Sequence, residues 1–124
     1  MIFNWNEGPL ANGLQCYRSQ QFWHAHEHWE AVWLQCEEPD KTFLQALIQV
    51  TAAFHHLQQG NLAGLASLLK RALSRLESFP QQYGGIDVNI LRETIRAWLQ
   101  ALGHDLVPPQ LPHPRIYWDP LPPM

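Results

Sequence analysis

The 124-residue sequence predicts an all-α protein, a single-domain bundle of about five helices with a proline-rich extended C-terminal tail. Three observations predict this class. Apolar residues recur at helical spacing through the body, no segment alternates convincingly as a strand does, and seven of the ten prolines lie from Pro108 to Pro123. Proline removes a helical donor and clashes with the preceding turn. We therefore expect a helical domain over residues 1–107 and a tail over 108–124 that packs on the bundle.

Individual residues mark the helix limits. Pro9 suits the first turn of a helix, Asp40 and Asn61 are good N-caps, and Gly60 suits a C-cap. The predicted helices span about residues 9–18, 19–36, 40–59, 61–79 and 87–103, and residues 80–85 form a loop. Burial is expected for Trp29, Trp33, Leu47 and Phe54, and in the tail for Ile116 with Tyr117 or Trp118.

Composition and charge narrow the function classes. The formal net charge is −3, which argues against nucleic acid as a partner, and no stretch approaches the roughly 18 apolar residues of a membrane span. No basic residue precedes Glu7, so the N-terminus does not read as a secretory signal. Cys16 and Cys36 match no zinc motif and are expected to be reduced thiols. We expect a cytoplasmic protein with no nucleic-acid or membrane partner.

The third predicted helix differs from the fourth and fifth, which are amphipathic. It carries no charged residue from Thr42 to Gln59, and its apolar residues lie nearly all round, as in a central, buried helix. One stripe is polar, because Gln45, Gln49 and His56 fall within about 40° of each other on the helical wheel.

The second predicted helix supplies polar groups that could meet this stripe. His26 lies inside or at the edge of its apolar arc, Glu30 follows one turn later, and Glu27 is intermediate. A buried carboxylate is costly unless it is paired, and a buried histidine needs partners for both ring nitrogens. We therefore expect a polar pocket between the second and third helices, lined by His26, Glu27, Glu30, Gln45, Gln49 and His56.

Three functions remain open for this pocket. It could bind a small ligand, or a divalent metal such as zinc or iron through His26, Glu30 and His56. It could instead be a polar network that only fixes helix register in a structural or protein-interaction module, with a protein partner or a second copy bound elsewhere. The third is a hydrolase or other enzyme using His26 with Glu27 or Glu30, although the sequence shows no nucleophile or oxyanion device.

Several linked motifs resemble those of the domain-of-unknown-function 309 family. Residues 22–33 resemble its F-x-x-A-H-E-x-x-E-x-x-W signature, and residues 43–49 resemble F-L-Q-G-L-I-Q, with Ala46 in place of the glycine. His56, Gly60-Asn61 and Gly64 fit the H-x-x-x-G-N-x-x-G pattern. The resemblance implies a small all-helical fold and no particular reaction, because the family's activity is not established. The same six polar residues fall within or beside these motifs.

Overall fold

The computed structural model describes residues 3–104 and 111–116. Over these residues the chain forms five α-helices and one short hairpin, which confirms the all-α class. The elements are, in order, α1 (Gly8–Arg18), α2 (Phe22–Trp33), α3 (Asp40–Gln58), α4 (Leu62–Leu76), β1 (Gln82–Tyr83), β2 (Ile86–Asp87) and α5 (Val88–His104). No helix in this part of the chain has the length and apolarity needed to cross a bilayer.

The central element is α3, as the sequence predicts. It packs against α2 and α4, while α1 packs on α2 and α5 on α4. Leu47 and Phe54 of α3 are fully buried, and the Phe54 ring lies 5.0 Å from that of Trp98 on α5. A helix without charged residues after its first turn can be covered on several sides, which is why α3 organises the others.

The helix α2 is shorter than expected at both ends. Gln20 adopts a left-handed conformation with φ of 61°, so the chain turns before Phe22. After Trp33 the backbone tightens into i to i+3 hydrogen bonds, with the Cys36 amide donating to the Trp33 carbonyl. Trp29 in mid-helix is fully buried, and its Nε1 donates to the Leu10 carbonyl.

Trp33 is partly buried against the core, less completely than Trp29, Leu47 and Phe54. It is the last residue of α2, so no further helical turn covers it on that side. The Lys41 ammonium lies 4.5 Å from the ring centroid and covers one face.

The segment predicted as a loop contains a small antiparallel hairpin, in which Gln82 pairs with Asp87 and Tyr83 with Ile86. Gly84 and Gly85 both have positive φ, of 58° and 80°, as a two-residue type I′ turn requires. The Tyr83 hydroxyl donates to Asp40 Oδ1 at 2.5 Å and so ties the hairpin to the start of α3.

Residues 111–116 lie against the helical body. The Trp98 Nε1 donates to the Pro112 carbonyl at 2.9 Å, and the Tyr17 hydroxyl donates to the Pro114 carbonyl at 2.6 Å. Ile116 is 2% exposed. Tyr117 and Trp118, the other anchors expected from the sequence, lie outside the described residues.

The imidazole of His113 sits among aromatic rings of three different helices. Its centroid lies 5.2 Å from that of Phe22, 4.7 Å from that of Phe54 and 6.1 Å from that of Trp98. Burial lowers the pKa of this imidazole below its ordinary value of 6.5.

Candidate functional site

The six polar residues singled out from the sequence divide into two groups. His26, Glu27 and Glu30 lie on α2, and the structure gives them partners on that same helix. Gln49 and His56 on α3 contact side chains that belong to α4 or to its N-cap. Gln45 is partly buried on α3.

His26 and Glu30 meet, as their spacing predicts. The His26 Nε2 atom lies 3.4 Å from Glu30 Oε2, and the Glu30 side chain is half exposed. Trp23 stacks on the same imidazole, with ring centroids 5.1 Å apart and planes within 12°. The other ring nitrogen, Nδ1, is buried without a hydrogen-bond partner. The pair therefore lies at the rim of the bundle, beneath a partly exposed indole.

Glu27 lies on the solvent side of α2. Its carboxylate is 3.6 Å from His24 Nδ1, and both side chains are more than half exposed. Glu27 therefore adds negative charge to the surface of α2 and lines no enclosed site.

Gln49 is directed toward α4. Its side-chain oxygen accepts a hydrogen bond from Arg75 Nε at 3.2 Å. The wheel places Gln49 on a polar stripe but cannot say which neighbour faces that stripe, because α3 is apolar nearly all round. The structure sets α4 against it.

His56 is held by the N-terminus of α4. The Asn61 side-chain oxygen caps α4 by accepting from the Gly64 amide at 2.9 Å. This bond fixes the orientation of the Asn61 amide, so its NH₂ group faces His56 Nδ1 at 3.1 Å. Nδ1 is then the acceptor, and the neutral imidazole carries its proton on Nε2.

Gly64 gives the H-x-x-x-G-N-x-x-G pattern a structural explanation. A Cβ atom at this position would come within 2.8 Å of His56 Cγ and 2.7 Å of Asn61 Nδ2. Because only glycine leaves this space, the three motif residues form one packed joint between α3 and α4.

The metal-site hypothesis gains no support from this geometry. Among residues 3–104 and 111–116, no group of three or more histidine, cysteine, aspartate or glutamate side chains is arranged to hold an ion. His26, Glu30 and His56 therefore do not form a ligand set of that kind.

Two surface features were not expected from the sequence, which favours a core position for Trp23. Trp23 and Leu34 are large apolar side chains that are 51% and 63% exposed. On α4, Arg71 and Arg75 line a cleft beside α3. On a helical wheel Trp23 and Leu34 lie on the same side, and this pattern was available from the sequence. The sequence of α4 likewise contains basic residues and no acidic residue.

Comparison with known families adds a relationship to this geometry. Residues 10–68 match the model of the family Domain of unknown function (DUF309). The resemblance found in the motifs is thus confirmed, and the DUF309 match runs from α1 into α4, so it includes the joint at His56. An uncharacterized protein of Aquifex aeolicus (strain VF5) is 32% identical over 94 residues, which are 75% of this chain. The match covers 27% of that protein, so the chain spans about a quarter of its relative's length.

Proposed function

We propose that this chain is a protein-interaction module that binds a basic, apolar-bearing segment of a partner protein on the exposed side of α2. We call this surface the α2 face and define it by Trp23, Glu27, Glu30 and Leu34. The observation that carries the proposal is the exposure of Trp23 and Leu34 on one side of the helix. Single exposed apolar residues are ordinary on soluble proteins. On an ideal helix these two residues lie about 20° apart around the axis and about 16 Å apart along it. They can therefore serve as two contact points of one docking surface.

The charge between the anchors indicates what the partner carries. The helix contains Glu27 and Glu30 and no lysine or arginine. Within the described chain, the cationic partners of these two carboxylates are the histidines His24 and His26. The α2 face is therefore anionic wherever these histidines are neutral, and it complements a basic segment.

Trp23 and Glu27 are neighbours one turn apart, which puts an exposed indole beside a carboxylate. An arginine or lysine can pack on the part of the indole that His26 leaves exposed and pair with the carboxylate at once. We therefore place a partner's basic residue over Trp23 and an apolar residue on Leu34.

The wider context agrees with a module of this kind. The relative from Aquifex aeolicus is a much longer protein, so a similar sequence occurs there as one part of a larger chain. We further propose a cytoplasmic location, because Cys16 and Cys36 do not form a disulfide. The domain division at residues 107 and 108 remains part of the same proposal.

The test uses the full ¹⁵N-labelled chain and two synthetic amphipathic peptides. One carries arginine and leucine on one face, and the other has glutamate in place of each arginine. We expect the Trp23 indole resonance and the α2 amides to shift with the arginine peptide only. Trp23→Ala and Glu30→Gln should each weaken binding at least about fivefold, since each removes one element of the recognition.

Glu93→Gln is the matched control, because Glu93 is an exposed carboxylate on α5. It should leave the affinity unchanged. Equal binding of both peptides, or equal losses in Glu93→Gln and Glu30→Gln, would contradict the proposal. Thermal unfolding of each variant checks that the half-exposed positions were changed without loss of the fold.

A further inference from the structure

The helix α4 is basic in a protein of net negative charge. It contains Lys70, Arg71 and Arg75 and no acidic residue, while the whole chain has a formal net charge of −3. Like charges held close together on a helix oppose folding slightly unless they have a partner. The helix itself supplies no acidic partner for these cations.

Two of these residues line an open cleft of about 440 Å³ between α3 and α4. It is lined by two arginines and three residues that carry hydroxyl groups, which are Thr42, Arg71, Ser74, Arg75 and Ser78. No carboxylate is among them. We call this feature the arginine cleft.

Arg75 is held in place within the cleft. Its Nε donates to Gln49 on α3, so a neighbouring helix positions the guanidinium. Its two terminal amino groups remain available to donate to a ligand. Arg71, one turn earlier and exposed, makes no hydrogen bond or ion pair with the described residues. Two guanidinium groups one helix turn apart thus line the cleft, and no carboxylate lines it with them.

Glu38, whose carboxylate is coupled electrostatically to Arg75, already has hydrogen-bond partners on Thr42. The Glu38 carboxylate accepts from the Thr42 amide at 2.8 Å and from its hydroxyl at 2.7 Å, at the first turn of α3. These hydrogen bonds, more than the charges of Lys41 and Arg75, hold the pKa of Glu38 below its usual range. Glu38 therefore acts as an internal cap of α3 and does not form an ion pair with Arg75.

We propose that the arginine cleft binds the phosphate group of a small phosphorylated metabolite. Guanidinium groups match the oxygens of a phosphate dianion with paired N–H donors, and the Ser74 hydroxyl adds a neutral donor. The cleft is within the 300–1,000 Å³ typical of small-molecule sites, so it has room for an organic group beyond the phosphate itself. This site lies on α4 and does not depend on the α2 face.

The test is calorimetric titration of the full chain with three probes: ribose 5-phosphate, inorganic phosphate and ribose. We expect saturable binding of ribose 5-phosphate, weaker binding of inorganic phosphate and none of ribose. Arg71→Gln and Arg75→Gln should each weaken ribose 5-phosphate binding about tenfold or more. Gln49→Leu should weaken it by a smaller factor, because Arg75 keeps its charge and loses its positioning contact.

Lys70→Gln is the matched control, since it removes the same charge from the adjacent position outside the cleft. We expect its affinity to stay within about twofold of the parent. Equal losses of affinity in Lys70→Gln and Arg71→Gln would show that binding depends on the overall positive charge of α4 and not on a specific site. That result would overturn the proposal. The absence of saturable binding of either phosphate probe would also overturn it. Circular dichroism of the variants confirms that a lost affinity is not a lost fold.

Discussion

Gly13, in the middle of α1, lies directly against the indole of Trp29. A Cβ atom at this position would come 2.2 Å from Trp29 Nε1, far inside contact distance. Gly13→Ala should therefore destabilise the protein, although alanine is favoured over glycine in a helix by about 1 kcal/mol. The free energy of unfolding in urea measures the effect.

Gly103 is the matched control for this prediction, because it is also helical and a Cβ atom there meets nothing within 4 Å. Gly103→Ala should leave stability unchanged or raise it by up to about 1 kcal/mol. If both alanine variants changed stability in the same direction and by the same amount, helix propensity would dominate and the packing argument at Gly13 would be wrong.

Residue-scale contacts could be predicted only where both partners lie on one helix. The spacing of His26 and Glu30 places them side by side whatever surrounds the helix. The partners of Gln49 and His56 depend on which helix packs against α3, and an almost uniformly apolar helix carries no such information. The sequence alone therefore isolated these residues without revealing that they serve the contact with α4.

At the scale of elements, the joint between α3 and α4 depends on Asn61. Asn61→Ala removes both the cap of α4 and the hydrogen bond to His56, and should cost about 0.5–2 kcal/mol of unfolding free energy. Asn61→Asp keeps an oxygen for the Gly64 amide and loses the donor to His56. The unfolding free energy of Asn61→Asp should therefore lie between those of the parent and Asn61→Ala at neutral pH. Chemical denaturation of the three proteins checks this order, and an aspartate variant less stable than the alanine variant would contradict it.

Helix limits were predictable where a residue has a local reason to start or stop a helix, as Asn61 does for α4. The hairpin was not predicted, because strands of two residues are too short to show alternation. Its only local signal is the pair Gly84-Gly85, whose positive φ angles suit a tight hairpin turn. What fixes the hairpin is distant in sequence, since Trp5 Nε1 donates to the Gly84 carbonyl at 2.7 Å.

At the scale of the whole molecule, docking of residues 111–116 should depend on pH through His113. Its pKa is lowered in the folded state, so the unfolded chain binds the proton at a higher pH. Stability should therefore fall as the pH drops from about 6.5 toward the lowered pKa, and it should level off above 6.5. Unfolding free energies measured between about pH 5 and 8 test the sign.

His113→Phe keeps an aromatic ring among Phe22, Phe54 and Trp98 and removes the titrating group. We expect this variant to lose part of the pH dependence, while His24→Gln, at an exposed position, retains it. An unchanged pH profile in His113→Phe would show that other groups control acid sensitivity.

The fold as a whole was more accessible to sequence analysis than the site. An amphipathic pattern predicts a helix with one buried face, whichever element covers that face. Periodicity therefore predicts the five helices, and the lack of charge in α3 predicts its central position. A site needs particular side chains from different helices to converge. The arginine cleft combines Thr42 at the start of α3 with Arg71 and Arg75 on α4, and no local pattern links those positions.

The mode of docking of residues 111–116 has a consequence for recognition. Proline has no N–H, so the backbone of Pro112 and Pro114 can hydrogen-bond only through the carbonyl groups, and the donors are Trp98 Nε1 and the Tyr17 hydroxyl. The helical body therefore binds a proline-containing segment that belongs to the same polypeptide. A ligand on the same chain has a high effective concentration, which general linker arguments put on the order of millimolar. A free peptide with the sequence Leu-Pro-His-Pro-Arg-Ile should therefore bind the body only at a comparable concentration, because it must displace residues 111–116 of the chain itself.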